Sequence, residues 1–137
     1  MTPEQPRWVQ RFQNFDRAVR QLQFACEQSS YSDLERAGLV QMFELAFEMT
    51  WKLLKDILAY QGIESKSPRE TIRRGFEAGL ITESESEGVL DGLIKRNLLS
   101  HTYYESVVID AVDLVKTQYI PILTDIHLRM KAKRETP

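Results

Sequence analysis

The sequence predicts an all-α fold, a bundle of about five helices joined by short connections. Two observations carry this. Apolar residues recur at helical spacing in one segment after another. No stretch alternates with period two over a useful length, and no Asn-Gly hairpin signal occurs. Only 6 glycines and 5 prolines punctuate the chain.

The elements follow in order. Trp8, Phe12, Phe15, Val19, Leu22 and Cys26 step by four and three, a helix with one apolar face that closes in the turn Ser29-Ser30-Tyr31-Ser32. The second helix is expected from Asp33 to Gln61. It carries Val40, Phe43, Phe47, Leu54 and Leu58 on one stripe, with Leu45, Met49, Leu53 and Ile57 beside it. An arc that wide implies burial on more than one side. Gly62 fits a C′ stop. Ser67-Pro68-Arg69-Glu70 reads as a capping box with proline at the first helical position, opening a short helix that ends near Gly79. Thr82-Glu83-Ser84-Glu85 is a second capping box, and the helix after it turns Val89, Leu90, Leu93 and Ile94 inward. The period breaks from Ser100 to Tyr104. A last helix carries Val108, Val112, Val115, Tyr119, Ile122 and Ile126, with Pro121 expected to kink or restart it. The Gly75/Gly79 and Gly88/Gly92 spacings read as helix ends or close packing.

A length of 137 residues is one domain's worth, so residues 1–137 are read as a single domain with fraying ends at 1–6 and 130–137. The net charge of -2 excludes a domain that is basic over its whole surface, though not a local basic patch. Cys26 is the one cysteine, which excludes an internal disulfide and a cysteine zinc site. The N-terminal residues carry no apolar signal core and no apolar run is long enough to span a bilayer, so a cytoplasmic protein is expected. Walker, dinucleotide-binding and nucleophile-elbow motifs are absent. Glu83, Glu85 and Glu87 sit in the first turns of a helix, where the macrodipole accounts for them without a metal.

The informative stretch is Lys95-Arg96-Asn97-Leu98-Leu99-Ser100-His101-Thr102-Tyr103-Tyr104. An arginine offers a fixed, permanently charged fork for phosphate. A histidine takes and gives protons near neutral pH. Together they suit metal-free phosphodiester chemistry. Five residues of regular helix turn through about 500°, which would leave Arg96 and His101 about 140° apart. They cooperate only if the helix breaks before His101 or if two subunits meet along this edge. The residues alone leave a plainer reading open. Arg96 would then serve the helix C-terminus, His101 would be a satisfied half-buried histidine, and the tyrosines would be packing. Arg69, Arg73, Arg74 and Lys95 could form an RNA-facing patch, though a solvated charged face is the simpler reading. His127 has no arginine at motif spacing and is read as structural; Trp8, Trp51 and the phenylalanines are read as packing.

Arg96-x4-His101-x-Tyr103, with Asn97 after the arginine, resembles the motif of HEPN-domain toxins of the HepT type, also described as nucleotidyltransferase substrate-binding proteins. The likeness extends to Phe47-Glu48-Met49-Thr50-Trp51-Lys52-Leu53-Leu54-Lys55, to Ser67-Pro68-Arg69-Glu70 and to Ala78-Gly79-Leu80-Ile81, and runs from about Trp8 to Leu123. The resemblance implies an up-down four-helix core and a homodimer with a shared cleft. It implies a metal-independent ribonuclease without a cofactor of its own, with Arg96 and His101 catalytic and Asn97 supporting. It further implies an MntA-type nucleotidyltransferase antitoxin that uses ATP and Mg²⁺ to place AMP on Tyr103. Lys95 and Tyr104 depart from the acidic residues common at those positions in the family, and two adjacent tyrosines leave the acceptor open. The alternative function is a non-catalytic substrate-binding subunit of a two-component nucleotidyltransferase; the plainest is a helical scaffold without chemistry.

Overall fold

The computed structural model describes residues 6–99 and 104–135. Every regular element in it is helical. Helix α1 (Arg7–Ala25) buries Trp8, Phe12, Phe15, Val19 and Leu22, the stripe expected from the sequence. Helix α2 (Asp33–Tyr60) begins at a full capping box: Ser32 Oγ accepts from the Glu35 backbone N–H, and the Glu35 carboxylate accepts from that of Ser32. Ile63 N–H bonds back to Leu58 O at 2.8 Å, and Gly62 takes φ +83°, a left-handed stop open to glycine at little cost. The buried face of α2 runs through Leu39, Phe43, Ala46, Phe47, Thr50 and Leu54. Leu45, expected beside that stripe, is 47% exposed instead.

Helix α3 (Pro68–Glu77) starts at Ser67, whose hydroxyl accepts from Glu70 N–H at 3.1 Å. The box is not reciprocal, because the Glu70 carboxylate accepts from Lys66 N–H. Helix α4 (Glu83–Leu99) starts at a reciprocal box between Thr82 and Glu85, with bonds of 2.9 and 3.1 Å. Ile94, expected inward, is 48% exposed.

The last rod is continuous but not uniform. It comprises α5 (Glu105–Leu114), a π turn (Val115–Tyr119) and α6 (Ile120–Glu135). Pro121 has no N–H, and its ring would crowd the carbonyl four residues back. The ladder widens just before it, with Ile120 N–H reaching Val115 O, five residues away. The regular α ladder is thus interrupted by a π turn immediately before the proline. The helix continues to Glu135. Met130 is 1% exposed, and the Arg134 guanidinium lies 4.5 Å over the Phe12 ring.

Long-range bonds set the directions. Arg11 Nε donates to Asp56 at 2.8 Å across α1 and α2. Gln23 donates to Thr124, and His127 bonds Asp16, across α1 and α6. Tyr119 donates to Asp91, and Arg129 to Glu85, from the last rod to α4. Each pair is antiparallel, which yields an up-down core of α1, α2, α4 and the last rod, with α3 packed on α2 and α4. α4 and α6 lie close at Gly88, where a Cβ would require the end of the Ile122 side chain to turn aside.

Glu85 links two of these devices. Burial pushes its carboxyl up, but the Arg129 hydrogen bond, the Thr82 N–H and the Arg129 charge outweigh burial and hold it below the usual carboxylate value. A depressed folded pKa contributes stability above the unfolded value, lost as the pH falls through the folded one. The stability gap between the native chain and Glu85→Gln is therefore expected to be full at neutral pH. It should narrow as urea titrations move below the ordinary glutamate pKa of 4.5. A gap independent of pH would refute this role.

Candidate functional site

Arg96 stands in the last turn of α4. Its Nη2 lies 3.2 Å from Oε2 of Glu48 on α2, with both side chains largely covered. The same Glu48 oxygen accepts from Trp51 Nε1 at 3.0 Å, and the other faces Lys52 Nζ at 3.5 Å. A carboxylate from a neighbouring helix, itself oriented by an indole, therefore sets the direction of the guanidinium. Contact with a carboxylate that is itself held by its neighbours narrows the directions open to a long guanidinium side chain.

Other motif residues separate by face. Asn97 is exposed. Lys95 lines a cavity of about 250 Å³ with Phe43, Asp110 and Tyr119. Leu99 borders that cavity and a second one of about 460 Å³, lined also by Asp33, Arg36 and Glu105. Arg36 holds Asp33 and lies 3.8 Å from Glu105, so α2 is tied to the start of α5 just beyond the motif. Tyr104, the alternative acceptor, precedes α5 and is 75% exposed. His101 and Tyr103 lie outside the described residues.

The proposed RNA patch falls on two surfaces. Arg69, Arg73 and Arg74 are exposed on α3. Arg74 lies 3.4 Å from Glu77 and 3.9 Å from Glu70, which partly neutralises it. Lys95 faces α5 and the π turn instead.

Behind Lys95, Tyr119 anchors the site. Its ring stacks on Phe43 with centroids 5.2 Å apart, and its hydroxyl donates to Asp91 one turn before Lys95. Burial first, and then the Asp91 hydrogen bond and charge, raise its pKa well above the ordinary value, so it stays a neutral donor. His127 has a structural setting: it stacks on Phe12, meets the tilted Phe15 ring, bonds Asp16 at 2.6 Å and is 7% exposed. Among the described residues no three His, Cys, Asp or Glu are grouped to hold a metal ion. No described helix is long and apolar enough to cross a membrane.

Sequence reasoning missed Glu48 as a member of the site. The signal available was an acidic residue on the widest apolar arc, with an indole three residues later and a lysine four residues later.

Known proteins resemble this chain along nearly its full length. A crystal structure of a Thermus thermophilus protein is 26% identical, with a TM-score of 0.74, covering 88% of this chain and 98% of that one. A mutant MntA–HpeT toxin–antitoxin structure is 16% identical with a TM-score of 0.76, covering 91% and 97%. A tri-AMPylated Shewanella oneidensis HEPN toxin, in complex with MNT antitoxin, is 17% identical with a TM-score of 0.74, covering 91% and 96%. The latter two likenesses establish a shared fold. No curated protein matches the sequence. A profile of nucleotidyltransferase substrate-binding protein-like sequences spans residues 10–132, nearly the whole helical bundle just described. The chain therefore belongs to the nucleotidyltransferase substrate-binding protein-like family and has the fold of a HEPN toxin.

Proposed function

We propose that this protein is a HepT-type toxin subunit, a metal-independent endoribonuclease that works as a homodimer in the cytoplasm. The observation that carries the reading is the Arg96–Glu48 pair: an oriented guanidinium at the end of α4, immediately before His101 and Tyr103, on a fold shared with a HEPN toxin. His101 would take the proton from a ribose 2′-hydroxyl or give one to the departing 5′ oxygen. Arg96 would stabilise the charge that develops on the phosphate. Pairing across a dimer supplies the geometry that one regular helix denies, because the Arg96 of one subunit can then meet the His101 of the other.

Regulation would come from an MntA-type nucleotidyltransferase. It would use ATP and Mg²⁺ to form a phosphodiester between the Tyr103 oxygen and AMP, releasing pyrophosphate. The added phosphate and nucleotide beside His101 would repel an RNA backbone and occupy Arg96. Purified dimer is expected to cleave RNA in EDTA. Coexpression with the nucleotidyltransferase should add multiples of AMP mass that map to Tyr103 and not to Tyr104. Cleavage abolished by EDTA, or an intact mass unmoved by the partner with ATP and Mg²⁺ present, would count against the reading. The family description itself favours one second reading, a non-catalytic subunit that presents substrate to the nucleotidyltransferase. That subunit would bind its partner and yet leave RNA uncut. Growth arrest on expression alone, relieved by His101→Ala, separates the two.

A further inference from the structure

We infer that the groove between α1 and α6 is a second RNA-backbone site, from which a strand runs across α2 to Arg96. The ribonuclease reading supplies the ligand, and the groove supplies the rest. On α1, Gln13, Arg17, Arg20 and Gln21 recur at helical spacing and form a polar face. Arg134 joins them from α6, and together with Asp16 these residues line an open groove of about 400 Å³.

Three guanidiniums therefore face one carboxylate, and that carboxylate is engaged. Asp16 bonds His127 at 2.6 Å and lies 3.6 Å from Arg20. Arg134 is half-buried, and its guanidinium is held 4.5 Å over the Phe12 ring, so its fork is partly ordered before any ligand arrives. Guanidinium and amide groups of this kind suit phosphate and sugar rather than base edges.

The groove also leads to the site. A second groove of about 180 Å³ shares Arg17 and Gln21 with the first and continues to Leu45 and Met49 on α2. Leu45 lies one turn before Glu48, the partner of Arg96, so the groove reaches the helix surface next to that pair. From Arg134 to Glu48 the track crosses two helix spacings, roughly 16–20 Å. A strand with one phosphate at Arg96 can follow it to Arg17, Arg20 and Arg134. This is how a chain of net charge -2 can hold a polyanion: the positive field is local and lies beside the site.

The test is anisotropy of a labelled single-stranded RNA oligomer titrated with the dimer across a range of salt, in a His101→Ala background that prevents cleavage. Arg17→Gln/Arg20→Gln/Arg134→Gln is expected to weaken binding by about tenfold or more. It should also flatten the slope of log affinity against log salt by about 2, since each lost single-strand phosphate contact is worth about 0.7. The double variant Arg17→Gln/Arg20→Gln leaves the Arg134–Phe12 contact intact. It should flatten the slope by about 1.4, which keeps the test valid if the triple variant melts early. Unchanged affinity and slope would overturn the groove. Groove-dependent binding by a protein that does not cut RNA upholds the groove and removes the ribonuclease. Cleavage by the native dimer, with salt dependence unmoved in the variants, does the reverse.

Discussion

Arg96→Ala is expected to lower RNA cleavage by about 10²- to 10³-fold, the usual loss when one donor to a developing oxyanion is removed. His101→Ala is expected to cost about 10²- to 10⁴-fold, as for a general acid or base. The two losses should not add, because each residue needs the other in the same step. In Arg96→Ala fold stability should fall modestly, since Glu48 keeps its bonds from Trp51 and its neighbour Lys52. Glu48→Gln is the more diagnostic change. It keeps an acceptor for the indole and removes the charge that holds the guanidinium. Its expected effect is a loss in kcat smaller than that of Arg96→Ala and absent in an Arg96→Ala background, as a double-mutant cycle of single-turnover rates would reveal. Full cleavage by both Arg96→Ala and His101→Ala would remove these residues from the chemistry. Additivity of Glu48→Gln with Arg96→Ala would remove Glu48 from its positioning role.

The helical class and most boundaries were legible because period and caps act locally. Ser67, Thr82 and Gly62 each stop or start a helix through bonds within a few residues. What escaped the sequence depends on partners far along the chain. Glu48 meets Arg96 48 positions later, Glu85 meets Arg129 44 positions later, and Arg134 stacks on Phe12 from the other end. A glutamate in a first turn is explained well enough by the helix dipole, so nothing local announces that Glu85 also grips α6. The setting of the C-terminal end is hidden for the same reason. Its charges are visible in the sequence, but the aromatic surface that orders one of them is not. Pro121 is intermediate: its disruption was predictable, while relief by a π turn depends on the buried contacts of Val115 and Tyr119.

Phe43→Ala is expected to destabilise the fold by about 3–5 kcal/mol, at the upper end for a core truncation. Phe43 is 1% exposed, stacks on Tyr119 and lies 6.3 Å from the Phe47 ring centroid. Gly92 brings α4 close beneath it, with a Cβ position 3.7 Å from Phe43 Cζ. The cost of such a deletion depends on how far the surroundings collapse. Here the ring borders a cavity of about 250 Å³, so its loss would enlarge a space already present rather than let one close. Tyr119 would lose its stacking surface while its hydroxyl remains committed to Asp91. The expected fall in Tm is roughly 10 to 20 °C for a chain of this length. Phe43→Leu, which fills most of the volume, should recover more than half of it. Calorimetry on the two variants checks this, and a loss under about 1.5 kcal/mol for alanine, the range of well-tolerated core swaps, would mean that the α2–α4–α5 junction repacks. Because the same ring walls the cavity that Lys95 lines, cleavage by folded Phe43→Ala should fall further than its folded fraction explains. The loose wall would let the end of α4, and Arg96 with it, sample more than one geometry.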